Sequence, residues 1–246
     1  MQEALTLNEV ARFGEDDVFN ALYPLKQDQL ERLRKLAGVV IEDKYERGRG
    51  DPKYGNLPRH FSERQLVEFF EHIRSERLFL SFLVQFGLGL RVGELKGLSF
   101  LERQGLARVQ NFKARRVEYI PVCESLRAPL KRYLSSDVHS VQKLRYHFRA
   151  VCEDAGEEFT YVYGYSKHKD NPRSLYQFTP HSLRHTAGNM VLRAANPLVE
   201  AAFLRHKLTS KFGVTGTYMR VSNEEMSLAV TDALDNVIKL LLNLRE

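Results

Sequence analysis

Residues 179–186 read TPHSLRHT, with two histidines and an arginine crowded where a helix should begin. Thr179 is a good N-cap, Pro180 suits the first helical position, and Leu183 opens an apolar face. His181, Arg184 and His185 then share one side of the first turns. Unpaired backbone N–H groups and the helix dipole favour an anion there, so this spacing could hold a phosphate between Arg184 and His181. Two plainer readings stand beside it. A histidine and an arginine near a helix start can form an ordinary surface face. His181 and His185, four apart, could begin a zinc site, although no glutamate follows the first histidine and no third ligand is signalled.

The elements that would carry these residues are mostly helical. Leu30, Leu33, Leu36, Ala37, Val40 and Ile41 recur at helical spacing, and the Gly-, Pro- and Arg-rich stretch RGRGDPKYGNLPRH at 47–60 reads as a linker. This places a short helical unit in residues 1–57 and a larger domain in 58–246. In the larger domain Phe61-Ser62-Glu63 opens a helix bearing Leu66, Phe69, Phe70 and Ile73. A largely apolar helix runs from Arg77 to Phe86 until Gly87 and Gly89 break it. The alternation in LARVQNFKARRVEYIPV, 106–122, predicts a β-hairpin with a basic turn. Helices are expected at about 123–134 and 140–154, little pattern between 156 and 178, and further starts at Asn196-Pro197 and at Ser222 with Glu225. The last of these carries a stripe of Val230, Leu234, Val237, Ile238, Leu241 and Leu244. The expected fold class is mainly α with a small antiparallel β-sheet.

Composition bounds the partners. The 246 residues hold 37 Lys and Arg against 31 Asp and Glu, a formal charge of +6, which suits a polyanion such as nucleic acid. Cys123 and Cys152 are too few for a disulfide scaffold and form no CxxC pair, which points to buried thiols in a reducing, cytoplasmic setting. The acidic N-terminus has no apolar leader and no segment has the length of a membrane span, so no membrane association is expected.

Six polar residues then stand out in order: Arg91 in GLGLRVGEL, Lys113 in NFKARRVEYIPV, His181 and Arg184 in HSLRHT, His206 in FLRHK, and Tyr218 in TGTYMRV. In order and surroundings they resemble the active-site set of the tyrosine recombinases, the phage-integrase family of DNA breaking and joining enzymes, from about Leu57 to the C-terminus. GLGLRVGEL resembles the first-arginine box and HSLRHT the histidine and second-arginine box; these are the specific matches. The resemblance implies a tyrosine-recombinase-like catalytic domain acting on double-stranded DNA through a 3′-phosphotyrosine intermediate. Tyr218 would attack phosphorus, and Arg91 with Arg184 would clamp the nonbridging oxygens. His181 would take the phenol proton, Lys113 would protonate the leaving 5′-oxygen, and His206 would hydrogen-bond the phosphate. Glu94, three residues after Arg91, would orient a member of the set. No metal and no cofactor is required by this chemistry.

The resemblance further implies self-association into a tetramer on DNA through the C-terminal helix; the same apolar stripe could instead pack in cis. The chain departs from the family in its short N-terminal part, in a longer loop between His206 and Tyr218, and in Arg205, where the family often has glycine. Two other functions stay open. One is a topoisomerase IB-like nicking and closing enzyme. The other is a non-catalytic DNA-binding regulator on the same fold.

Overall fold

A computed structural model describes residues 59–111, 116–165, 174–206 and 221–245 of the chain. The predicted N-terminal helix, the 47–58 part of the linker, Lys113 and Tyr218 lie outside the described residues. The described part is mostly helical with small antiparallel sheets.

Helix α1, Glu63–Glu71, starts where Ser62 closes a reciprocal cap: the Gln65 N–H donates to Ser62 Oγ at 3.2 Å and the Ser62 N–H to Gln65 Oε1 at 3.0 Å. The Phe61 N–H donates to Thr186 Oγ1 at 2.9 Å, tying this start to the later HSLRHT helix. Helix α2, Glu76–Gly87, is buried along most of its length from Leu78 onward. A chain this apolar on every face has to run through the middle of a domain. It stops at Gly87, and Gly89 follows with φ +53°, a left-handed turn open to glycine. A Cβ at Gly89 would also sit 2.7 Å from the Phe203 ring, so both conformation and space exclude a side chain.

After this turn, Val92–Gly97 forms a 3-10 helix rather than a continued α-helix. Strands β1 (Leu98–Leu101), β2 (Leu106–Asn111) and β3 (Arg116–Pro121) make an antiparallel sheet in that order. The predicted hairpin is β2–β3, in register from Leu106↔Pro121 to Asn111↔Arg116. Strand β1 is an addition that the sequence reading did not contain. It pairs Leu98 with Val109 and Leu101 with Leu106, and is too short for alternation to show.

Helices α3 (Glu124–Leu134) and α4 (Val141–Ala155) fall where periodicity put them. The supposedly patternless 156–178 contains strands β4 (Val162–Tyr165) and β5 (Ser174–Tyr176), paired antiparallel with an irregular register. Helices α5 (Pro180–Ala194), α6 (Pro197–Phe203) and α7 (Asn223–Asn243) complete the fold. Asn196 caps α6 through Leu198 N–H and Val199 N–H, both at 3.0 Å, and Ser222 caps α7 through Glu225 N–H at 3.0 Å.

The core holds a cluster of phenyl rings, with Phe61 and Phe178 centroids 4.5 Å apart and Phe69 and Phe148 4.8 Å apart. On α7, Val230, Leu234, Ile238 and Leu241 are fully buried against the same chain. Most of the apolar stripe therefore packs on the chain's own core, while Leu228 and Leu240 of the same helix stay exposed. Asp235 on that helix accepts from the Ser125 N–H (2.9 Å) and Oγ–H (2.7 Å), pinning α7 to the first turn of α3. Cys123 and Cys152 are buried free thiols, and burial above all pushes them up to about 11 and about 12. Among the described residues no helix is long and apolar enough to cross a membrane.

Candidate phosphate-binding site

The site gathers residues from three distant stretches around one carboxylate. Glu94, in the 3-10 turn, is 3 % exposed. Its Oε1 accepts from Arg91 Nη1 at 2.8 Å, and its Oε2 accepts from the Arg91 backbone N–H at 2.8 Å and from Arg205 Nη2 at 2.9 Å. Arg184 Nη1 lies 3.7 Å from the same Oε2. A buried carboxylate without cations would be driven to protonate. Here desolvation acts in that direction, but Arg205, the Arg91 hydrogen bonds and Arg184 outweigh it, and the Glu94 carboxyl is held below its ordinary range.

Arg184 comes from the second turn of α5. That helix is registered against α2 by the buried Gln85, whose Nε2 donates to Pro180 O at 2.7 Å. Thr179 stands at the N-cap, its N–H donating to Ser182 Oγ at 3.1 Å, with Pro180 in the first turn, as the residue types required. The guanidinium is 1 % exposed, with Nη1 donating to Gly89 O at 2.6 Å and Nη2 donating to Leu204 O. The sequence reading set His181, Arg184 and His185 on one open side. The structure corrects this: His181 is exposed, His185 half-buried and Arg184 fully covered. The reason is the close approach of α5 and α6, where Gly188 leaves room for Leu204; a Cβ there would lie 2.6 Å from Leu204 Cδ1.

Arg205 adds its positive charge beside His206 from inside the fold, with a side chain 3 % exposed. Nη1 donates to Leu88 O and Phe203 O, Nη2 donates to Gly89 O at 2.7 Å, and Nε lies 3.9 Å from Glu118 Oε2 on β3. Its φ of +55° is left-handed, a conformation that favours glycine. The cluster thus sets the Arg91, Arg184 and Arg205 guanidiniums against Glu94 and against Glu118, which Arg116 also pairs at 2.5 Å, and keeps an excess of positive charge. Burial first, and the neighbouring arginines after it, push the Arg184 guanidinium down from its ordinary value. Arg91 is its accessible cation, with a side chain 32 % exposed.

His181 and His185 stack edge to face with centroids 4.6 Å apart. Desolvation, then His185, Arg184, Arg91 and Arg59, push His181 down to about 3 although the residue keeps an exposed edge. Desolvation, Arg59, Arg184 and His206 likewise push His185 down to about 4. Both causes work in one direction, so both rings are neutral at pH 7, and burial and the neighbouring cations disfavour their protonation. His206 follows α6, its backbone N–H donating to Ala201 O at 2.8 Å, and its ring is close enough to act on His185 electrostatically. The structure therefore brings Arg91, Glu94, His181, Arg184 and His206 into one neighbourhood and adds Arg205, Glu118 and Gln85. Among the described residues no three His, Cys, Asp or Glu side chains group as metal ligands would. Scanned against protein-family models the chain matches none, and a search of curated proteins finds no match, so the functional reading rests on residues and geometry.

Proposed function

We propose that the chain is a site-specific DNA recombinase of the tyrosine-recombinase type, cleaving and rejoining double-stranded DNA through a 3′-phosphotyrosine intermediate. What supports the reading is the electropositive cluster at the start of α5, where residues 91, 94, 181, 184 and 206 converge from far apart in the sequence. In the proposed reaction the Tyr218 Oη–P bond forms as the P–O5′ bond breaks. The phenol proton passes to neutral His181, and Lys113 gives a proton to the departing 5′-oxygen. Arg91 and Arg184 stabilise the charge that accumulates on the nonbridging oxygens, and His206 hydrogen-bonds one of them. Rejoining is the reverse, so the energy of the broken bond is kept in the phosphotyrosine.

The buried state of Arg184 adds one requirement. Nη1 already donates to Gly89 O and Nη2 to Leu204 O, so a phosphate that competes for Nη2 would displace the Leu204 carbonyl, and in the proposed reaction DNA binding opens the cluster before cleavage. The same observation favours a second reading, a DNA-binding regulator without turnover, in which Arg184 and Glu94 serve only as a buried structural pair. One experiment separates the two. Nicked duplexes from the ends of the element encoding the chain are incubated with wild type, Tyr218→Phe and Arg184→Ala, and covalent adducts are resolved on denaturing gels. Recombinase chemistry gives an adduct with wild type alone, mapped to Tyr218 on a 3′-phosphate. Duplexes that bind yet never yield an adduct would overturn the recombinase reading in favour of the regulator.

A further inference from the structure

Beside the arginine cluster lies a cavity of about 710 Å³, lined by Arg91 and Glu94 on one side and by Arg145, Phe148 and Arg149 of α4 on the other. Tyr176, Phe178 and the Thr179–His181 start of α5 complete its wall. This volume lies within the range of small-ligand sites, and its mixture of aromatic walls and a few convergent cations is the usual composition of one. Arg149 carries the argument furthest. Its guanidinium lies 3.9 Å over the Tyr176 ring, and its Nε stands 3.3 Å from Glu153 Oε1, but none of its three nitrogens makes a hydrogen bond and all are shielded from water. A guanidinium in that state lacks acceptors that a phosphate oxygen would supply. Arg145, one turn earlier on the same face of α4, is exposed and adds a second cation.

We propose that this cavity takes a single deoxynucleotide unit of the DNA strand, drawn out of the stack next to the phosphate that Arg91 holds. Its phosphate is paired by Arg145 and by Arg149 once that side chain swings off Tyr176, and its base lies against the Tyr176 ring so bared. The aromatic face recompenses lost base stacking without reading sequence, as in other single-strand sites. The strand source rests on the recombinase reading; the nucleotide chemistry of the cavity does not.

The test is calorimetric titration of the full chain with thymidine 5′-monophosphate, thymidine and inorganic phosphate. The nucleotide is expected to bind with a Kd of about 1 mM, and each fragment at least about ten times more weakly. Arg149→Gln and the surface substitution Arg145→Ala should each weaken nucleotide binding by about tenfold, which for the pair of guanidiniums is the loss of one charged contact apiece. Arg103→Ala, an exposed arginine outside the cavity lining, should leave it unchanged. Equal binding of inorganic phosphate, or nucleotide binding left intact by both Arg145→Ala and Arg149→Gln, would put the ligand away from this wall and overturn the proposal; so would no nucleotide binding. Nucleotide that displaces a fluorescent duplex supports the strand source, and nucleotide that binds without displacing it overturns that source. Adducts on DNA without nucleotide binding would remove the cavity alone, whereas nucleotide binding without adducts would remove the recombinase reading alone.

Discussion

Replacing Glu94 by glutamine is the sharpest perturbation the cluster offers, because it removes one charge and almost no volume. Both carboxylate oxygens are in use: Oε1 accepts from Arg91 Nη1, and Oε2 accepts from the Arg91 N–H and Arg205 Nη2. An amide presents one oxygen and one NH2, so either Arg91 Nη1 or Arg205 Nη2 must then face a donor. Arg205 is buried with only the more distant Glu118 left as a counter-charge, and Arg184 loses its nearest carboxylate. Breaking a buried ion pair from one side typically costs about 3–5 kcal/mol, and little of that is screened at 3–4 % side-chain exposure. The expected loss for Glu94→Gln in urea unfolding at pH 7, followed by helical circular dichroism, is about 3 kcal/mol or more with an unchanged slope. The partner variant is Arg205→Met, chosen because methionine pays the same left-handed φ as arginine and so cancels the backbone contribution. The double variant should be less damaged than the sum of the singles by about 2 kcal/mol, within the range of contacting residues. Glu94→Gln costing under about 1 kcal/mol, or singles that add within about 0.5 kcal/mol, would refute the picture of Glu94 as the carboxylate that gathers the arginines.

Gly188→Ala should push Leu204 away from α5 and cost about 1–3 kcal/mol, with Leu204→Ala in the same chain recovering part of the loss; thermal unfolding of the three variants checks this. The histidine pair should make the fold acid-sensitive. His181 and His185 have folded values pushed down to about 3 and about 4, below the unfolded value near 6.5, so the unfolded chain binds more protons at mildly acid pH. Stability is then full above about pH 6.5 and falls as pH drops from there toward 4, and His185→Asn should flatten that fall in unfolding midpoints measured between pH 7 and 5. A bound phosphate beside His181 should raise its value, so DNA binding should take up protons as pH falls, which calorimetry in buffers of different ionisation enthalpy would detect. Asp235→Ala should cost about 1–3 kcal/mol by leaving Ser125 N–H unsatisfied and α7 unpinned, measured by chemical unfolding.

Much of the fold was legible because the helices are signalled locally. Ser62, Thr179, Asn196 and Ser222 each stand at the helix start their side chains predicted, and α3, α4 and α7 follow their apolar stripes. What escaped was short or non-local. Strands of three or four residues, β1, β4 and β5, carry too few alternations to separate from loop, and Val92–Gly97 winds as a 3-10 helix because Gly89 and Glu94 reshape the turn after α2. The candidate site was legible in the order of its residue types and not in their burial. Nothing local says that an arginine will be covered; Arg184 is covered because Gly188, ninety-nine residues from Gly89, lets α6 lie close.

Arg205 shows what no local pattern signals. Its φ is +55°, a left-handed conformation that favours glycine. An arginine there bears a backbone cost of about 1 kcal/mol or more, so something must offset it. Four hydrogen bonds do, to Leu88 O, Phe203 O, Gly89 O and Glu94 Oε2. The side chain therefore locks the Leu204 turn over Arg184 instead of lying in solvent. It follows that Arg205 and a phosphate make opposing demands on that turn. Arg205→Gly would relieve the backbone, release Glu94 from one cation and leave the Leu204 carbonyl easier to withdraw, at the expense of a looser cluster. If the turn is what restrains the site, this variant should be less stable and yet bind DNA at least as tightly as wild type. A parallel loss of stability and binding would mean that Arg205 holds the binding surface together rather than holding it shut.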